Sequence, residues 1–231
     1  MADSLTLQGN PPITVHLRRS SRAKRLSLRV SRLDGRVTMT LPRRLPLREA
    51  EAFARQKQSW LAGHLAQQVP ASRAVPGAVI PFQGIGHVVT PADIRSPRIE
   101  DGMLLVPTRG AERTPARVAA FLKERARERL VGASDHYTGL VGRRYTRMTL
   151  RDTRSRWGSC SSQGALMYSW RLIMAPPDVL DYVAAHEVAH LVEMNHSAAF
   201  WSVVERLFPG HAAQKRWLRD RGHELQRWDF G

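Results

Sequence analysis

The chain has 231 residues, 42% of them hydrophobic and 24% charged, with 36 Lys and Arg against 20 Asp and Glu for a formal net charge of +16. Those values exclude a disordered chain and leave room for one large domain or two small ones. No stretch approaches the roughly 20 apolar residues of a membrane span, and Cys160, the single cysteine, excludes an intramolecular disulfide and suits a reduced, cytoplasmic setting.

The chain opens without a basic start followed by an apolar run, so no signal peptide is expected, and residues 1–11 read as a disordered polar tail. Period-two alternation over Ile13–Leu17, Leu26–Val30 and Val37–Leu41 predicts half-buried strands. Asp34-Gly35 suits a tight hairpin between the last two, because glycine accepts positive φ. Pro46 opens a predicted helix to about Ala66, with Phe53, Trp60 and Leu61 on its apolar side. Residues 70–77 read as a linker. A second β region follows at Val79–Phe82, His87–Thr90 and Met103–Val106, with Gly84 and Gly86 at a turn.

Thr114-Pro115 offers a cap and a first-turn proline for a charged helix to at least Leu130. Strands are expected at Tyr145–Leu150 and Ala165–Met174, with a turn-rich stretch, 157–164, between them. Pro176-Pro177-Asp178 starts a helix to about Val192. Ser197 caps another that Pro209-Gly210 stops, and a last helix runs from about Ala212 to Leu225. No internal repeat or low-complexity tract is visible.

Much of the positive charge lies early, in Arg18, Arg19, Arg22, Lys24, Arg25, Arg29, Arg32, Arg36, Arg43, Arg44 and Arg48. Arginine grips phosphate bidentately, so non-specific nucleic-acid contact through this Arg-rich N-terminal region is one expectation. The plain alternative is a solvated face that uses Arg where Lys would serve.

The chemistry is concentrated in His186-Glu187-Val188-Ala189-His190. On a helix, residues four apart share a face, so both imidazoles can point at one ion. Glu187 then points to the flank, where it can touch a metal-bound water without binding the metal. A catalytic zinc needs a third protein ligand and an open fourth position. His196 qualifies if the chain turns back at Glu193-Met194-Asn195, asparagine being the non-glycine residue that best tolerates a left-handed conformation. The expected site is therefore one zinc ion on His186, His190 and His196, with Glu187 as general base for a protein or peptide substrate. Alternatives stay open. The histidines can be ordinary helix residues, although apolar neighbours such as Val183, Val188 and Leu191 make the helix largely buried. Cys160 is a second candidate third ligand. Arg154, Arg156 and Trp157 are candidates to line the cleft, Tyr168 and Tyr182 to donate to an oxyanion, and Ala165–Met174 to pair as an edge with substrate.

The segments Arg156-Trp-Gly-Ser-Cys-Ser161, Leu172 to Pro176, Tyr182 to Leu191, Asn195-His196-Ser197 and Phe200-Trp201 resemble the YgjP-like metallopeptidase family, a relative of the SprT-like and WLM zinc proteases. The elements read along the chain give an α+β fold, a β-rich N-terminal region with one helix (12–110) followed by a mixed domain (111–231) with a short sheet. The resemblance implies that the latter is a zincin-like catalytic domain with an active-site helix. It also puts the zinc ligands and base on the residues already chosen. Glu193 and Met194 depart from it, lying where better-known zincins carry glycine, and His211 stands where an acidic or polar residue is expected. The competing functions are a basic nucleic-acid-binding protein with a structural or vestigial metal site, a protease acting on DNA-bound proteins, and a non-peptidase amidase.

Overall fold

The early alternation folds into a four-stranded sheet. In the computed structural model, which describes residues 4–31, 34–66 and 72–231, the chain divides into two compact units, Met1–Ala71 and Ser72–Gly231. The first unit holds β1 (Ser4–Leu7), β2 (Ile13–Ser20), β3 (Ser27–Val30) and β4 (Val37–Pro42), in the spatial order β1-β2-β4-β3. The central pair β2·β4 is parallel and the two outer pairs are antiparallel. Leu5, Leu7, Ile13, Val15, Val37, Met39 and Leu41 share one sheet face, and their core also takes in Ala50, Ala54 and Leu61 from α1 (Leu47–Gln56) and α2 (Gln58–Ala66). The alternate residues point away from that core because side chains alternate across a strand.

Several details depart from expectation. Ser4–Leu7 is a strand, where a disordered tail was expected, because Leu5 and Leu7 reach the core; residues 1–3 lie outside the described residues. The hairpin forms with Gly35 at φ 68, its N–H donating to Ser31 O. The single helix expected from Pro46 breaks at Lys57 (φ −96, ψ 5), and Trp60 is exposed while Leu61 is buried.

The second unit begins with β5 (Ser72–Arg73), in the stretch expected as linker, of which residues 70 and 71 are not described. Its first sheet contains β6 (Val79–Phe82), β7 (Ile85–Ala92), β8 (Arg98–Glu100) and β9 (Met103–Pro107), ordered β6-β7-β9-β8. Then come α3 (Thr114–Val141) and a short sheet of β10 (Arg147–Arg151), β11 (Gly158–Cys160) and β12 (Ala165–Ser169). A 3-10 turn, Trp170–Met174, leads to α4 (Pro177–Ala189), α5 (Ala198–Leu207), α6 (Ala212–Gln226) and β13 (Trp228–Asp229), which pairs parallel with β5. One core joins Ile80, Val89 and Leu104 of the first sheet with Leu122 and Leu130 of α3 and Ala184 and Val188 of α4. The sheet of β6–β9 therefore belongs with the C-terminal half, and the boundary falls near residue 71, against the expected 110, because this sheet's apolar face has its partner there.

Two devices fix the segment leading into α4. At the β6–β7 turn, Gln83 (φ 49) and Gly84 (φ +81) donate their N–H groups to Ile173 O and Met174 O. A Cβ on Gly84 would stand 3.1 Å from Pro176 Cα, so only glycine lets the turn approach this closely. Arg171, 8% exposed, pairs with Asp152 at 2.6 Å and donates to Leu225 O and Trp228 O, tying the 3-10 turn to the chain's last elements. Thr114 does not cap α3: the N-cap is Arg113, and Gly142 ends the helix in the left-handed region (φ 62). Among the described residues no helix is long and apolar enough to cross a membrane.

Candidate active site

The helix α4 starts with Pro177 in its first turn, and Asp178 there complements the dipole. Val179, Leu180, Val183, Ala184, Val188 and Ala189 are buried, so the helix is set by core packing on most of its surface. His186 and His190 lie one turn apart on the remaining face. The helix ends at Ala189, and the N–H groups of Leu191, Val192 and Glu193 bond back to Val188 O and Ala189 O. Asn195 is not left-handed: among the described non-glycine residues only Gln83 and Asp101 have positive φ, so tight backbone bonding makes the reversal. Ser197 then caps α5 as expected, its Oγ accepting from Phe200 N–H at 3.3 Å.

That reversal brings His196 back over the helix. One ring nitrogen from each of His186, His190 and His196 lies within 4.8 Å of the others. The Nε2 atoms of His186 and His196 are 3.1 Å apart. His190 Nδ1 sits 3.0 Å from Glu193 O; a carbonyl only accepts, so Nδ1 carries the proton and Nε2 keeps a free lone pair. Phe200 stacks on His190 with ring centroids 4.4 Å apart. His186 Nδ1 is buried with no partner. Burial, then the neighbouring His190 and His196, pushes His186 down to about 3, so its ring is neutral at pH 7. Imidazole nitrogens converging within this distance suit a shared cation: two tetrahedral zinc ligands at about 2.05 Å would stand roughly 3.3 Å apart.

Glu187 is only 5% exposed. Burial pushes its carboxyl from 4.5 up to about 8, with the Arg156 guanidinium pulling the other way. Its nearest constraint is Gly158 of β11, where a Cβ would lie 2.5 Å from Glu187 Oε1. The next residue back, Trp157, packs instead on Gly222 of α6, where a Cβ would meet its ring at 2.9 Å. A cleft of about 440 Å³ opens above these groups, and Arg156, Ser159, Cys160 and Met194 line it together with the three histidines and Glu187.

The other candidates separate cleanly. Cys160 lines the cleft but lies outside the three-histidine set; burial, then Glu187, pushes its thiol up to about 11. Tyr168 is fully buried with its hydroxyl 3.1 Å from Ser134 Oγ, and Tyr182 packs edge-on against His186; neither lines the cleft. Of the expected cleft residues Arg154, Arg156 and Trp157, only Arg156 lines it. Ala165–Met174 fails as a substrate edge, because β12 ends at Ser169 and lies between β10 and β11. The free edge facing the cleft is β11, in the stretch read as turn. His211, given no role from sequence, stacks between Tyr182 and Trp201, both at 13°, with Nδ1 2.8 Å from Glu205 Oε2. Nothing in the one-dimensional pattern marked that stack or the Gly158–Glu187 contact.

An α+β unit with a short sheet and a buried helix carrying this histidine set has a zincin-like architecture. A family model described as YgjP-like, metallopeptidase domain, matches residues 24–221, and the chain belongs to that family. Among solved structures it is similar to the metallopeptidase zymogen of Pyrococcus abyssi abylysin, at 21% identity over 40% of this chain and 95% of that one. The TM-score of 0.37 is too low for that likeness to bear on fold or function. No curated protein matches significantly.

Proposed function

We propose that the protein is a cytoplasmic zinc peptidase in which His186, His190 and His196 hold the ion and Glu187 is the general base. The observation that carries this reading is the convergence of three imidazoles beside a buried carboxyl at an open cleft. Zinc is the ion that three imidazoles with an open fourth position suit best, and when bound it supplies Lewis-acid polarisation and a water acidified toward neutrality. Glu187 takes the proton from the attacking water and passes it to the leaving amine. Gly158 holds Glu187 on its flank by leaving room for nothing larger. His190 is oriented by its bond to Glu193 O.

The substrate binds as an extended peptide along β11. Trp157 O accepts from Ser169 N–H and Ser161 N–H donates to Ala165 O, so by antiparallel alternation Gly158 and Cys160 turn their N–H and C=O groups to the free edge. A peptide there adds as a further strand. Arg156 stands at the cleft as a cation able to steady a substrate carbonyl or carboxylate. A non-peptidase amidase with a Cys160 ligand is disfavoured, since Cys160 lies outside the ligand set. The test is Glu187→Gln: metal content should persist while hydrolysis of quenched-fluorescent peptides falls by about 10²-fold or more. Hydrolysis at the wild-type rate would overturn the assignment of the base.

A further inference from the structure

The first unit carries a charge the peptidase reading does not use. Within Met1–Ala71 stand thirteen Lys and Arg against four Asp and Glu, so +9 of the +16 falls in less than a third of the chain. The ion pairs among the described residues all lie beyond residue 72, where acids and bases interleave. In the first unit, Arg18, Arg22, Lys24, Arg25 and Arg29 have no acidic partner among the described residues.

The sheet register shows where these charges stand. The face opposite the apolar core carries one row of Ser4, His16, Thr38 and Arg29, and beside it a row of Arg18, Thr40 and Ser27. Thr6 and Thr14 complete it. Arg18, Arg29, Thr14 and Ser27 are exposed, and among the described residues the face holds neither an acidic residue nor a large apolar one. Two strand spacings and two residues along β4 separate Arg18 from Arg29, roughly 12 Å, far enough to grip different phosphates. Parallel β2 and β4 end together, and there Arg19, on the core side of β2, donates to Arg43 O and Leu45 O, while Arg19, Arg43 and Arg44 line a cleft of about 590 Å³.

We infer that this open sheet face and its basic end form a docking surface for the phosphate backbone of nucleic acid, read without sequence preference. Arginine and hydroxyl groups are the donors that phosphate oxygens take, and base-edge readout needs an element fitted to a groove, which this face does not offer. An anionic membrane is the poorer partner, because interfacial binding wants exposed aromatic or aliphatic residues beside the cations and this face has none among the described residues. The inference is independent of the metal site.

The test uses the full chain and a labelled mixed-sequence 20-base-pair DNA, with anisotropy followed from 50 to 200 mM KCl. Affinity should fall steeply with salt. Arg18→Ala/Arg29→Ala should weaken binding about tenfold at 50 mM and reduce the log–log salt slope by roughly 2, one per lost phosphate contact. Arg127→Ala/Arg206→Ala removes the same charge from exposed sites of the second unit and should change affinity less than about twofold. Absence of binding at 50 mM, or an equal loss in both double variants, overturns the inference. So does binding to vesicles with 30% phosphatidylserine that depends on Arg18 and Arg29 when DNA binding does not.

Discussion

A methyl group at Gly158 should disable the base while sparing the metal. The alanine Cβ would lie 2.5, 2.6 and 2.8 Å from Glu187 Oε1, Cγ and Cδ, against the 3.5–4.0 Å of ordinary contacts between carbons. Something must move by about 1 Å. The α4 backbone is held by fully buried Ala185, Val188 and Ala189, so the Glu187 side chain or β11 gives way. Overpacking of this kind costs about 1–3 kcal/mol of stability, and a 1 Å displacement of a catalytic group costs on the order of 10²-fold in rate. Gly222→Ala is the matched control: its Cβ would stand 2.9 Å from the Trp157 ring and touch no group of the cleft. The assay is kcat/KM on a quenched peptide that the wild type cleaves, with urea midpoints and metal content measured on each variant. Gly158→Ala should keep its metal and lose about 10²-fold in kcat/KM, whereas Gly222→Ala should lose stability with kcat/KM near wild type. A Gly158→Ala enzyme of normal activity, or equal losses in the two variants, would refute the reasoning.

In chelator-treated protein, Glu187→Gln should be stabilising at high pH. The folded carboxyl is raised from 4.5 to about 8, so its contribution is fully present below pH 4.5 and is lost as pH rises through 8. At about 1.4 kcal/mol per pKa unit this reaches at most about 5 kcal/mol. Urea unfolding at pH 4.5 and pH 9 should show wild type losing more than the variant; identical pH dependence would mean Glu187 is solvated. Arg171→Ala leaves Leu225 O and Trp228 O without their donor and should cost about 3–5 kcal/mol, read as a lowered urea midpoint. Cys160→Ser should retain the metal, since Cys160 stands outside the histidine set; elemental analysis checks it.

The histidine helix was legible because its signals are local: a four-residue spacing, apolar flanks and a first-turn proline. The first sheet was legible for the same reason, through its alternation. Ser4–Leu7 was missed because four residues bounded by polar neighbours carry little periodicity, and only pairing with β2 makes them a strand. β11 was hidden by glycine and serine, whose small side chains read as turn, although at Gly158 it is Glu187 packed against the strand that demands the glycine. The division near residue 71 depends on which core receives the sheet of β6–β9, a long-range fact that no local pattern states. His211 joins Tyr182 and Trp201 from three separate helical segments, so spacing could not reveal the stack.

Metal content tests the central claim most directly. Protein purified without added metal or a histidine tag, beside a His196→Ala variant, goes to elemental analysis. The account predicts about one zinc per wild-type chain and its loss or marked weakening in the variant. No metal in the wild type even after zinc is offered, or an unchanged zinc content in His196→Ala, would contradict it.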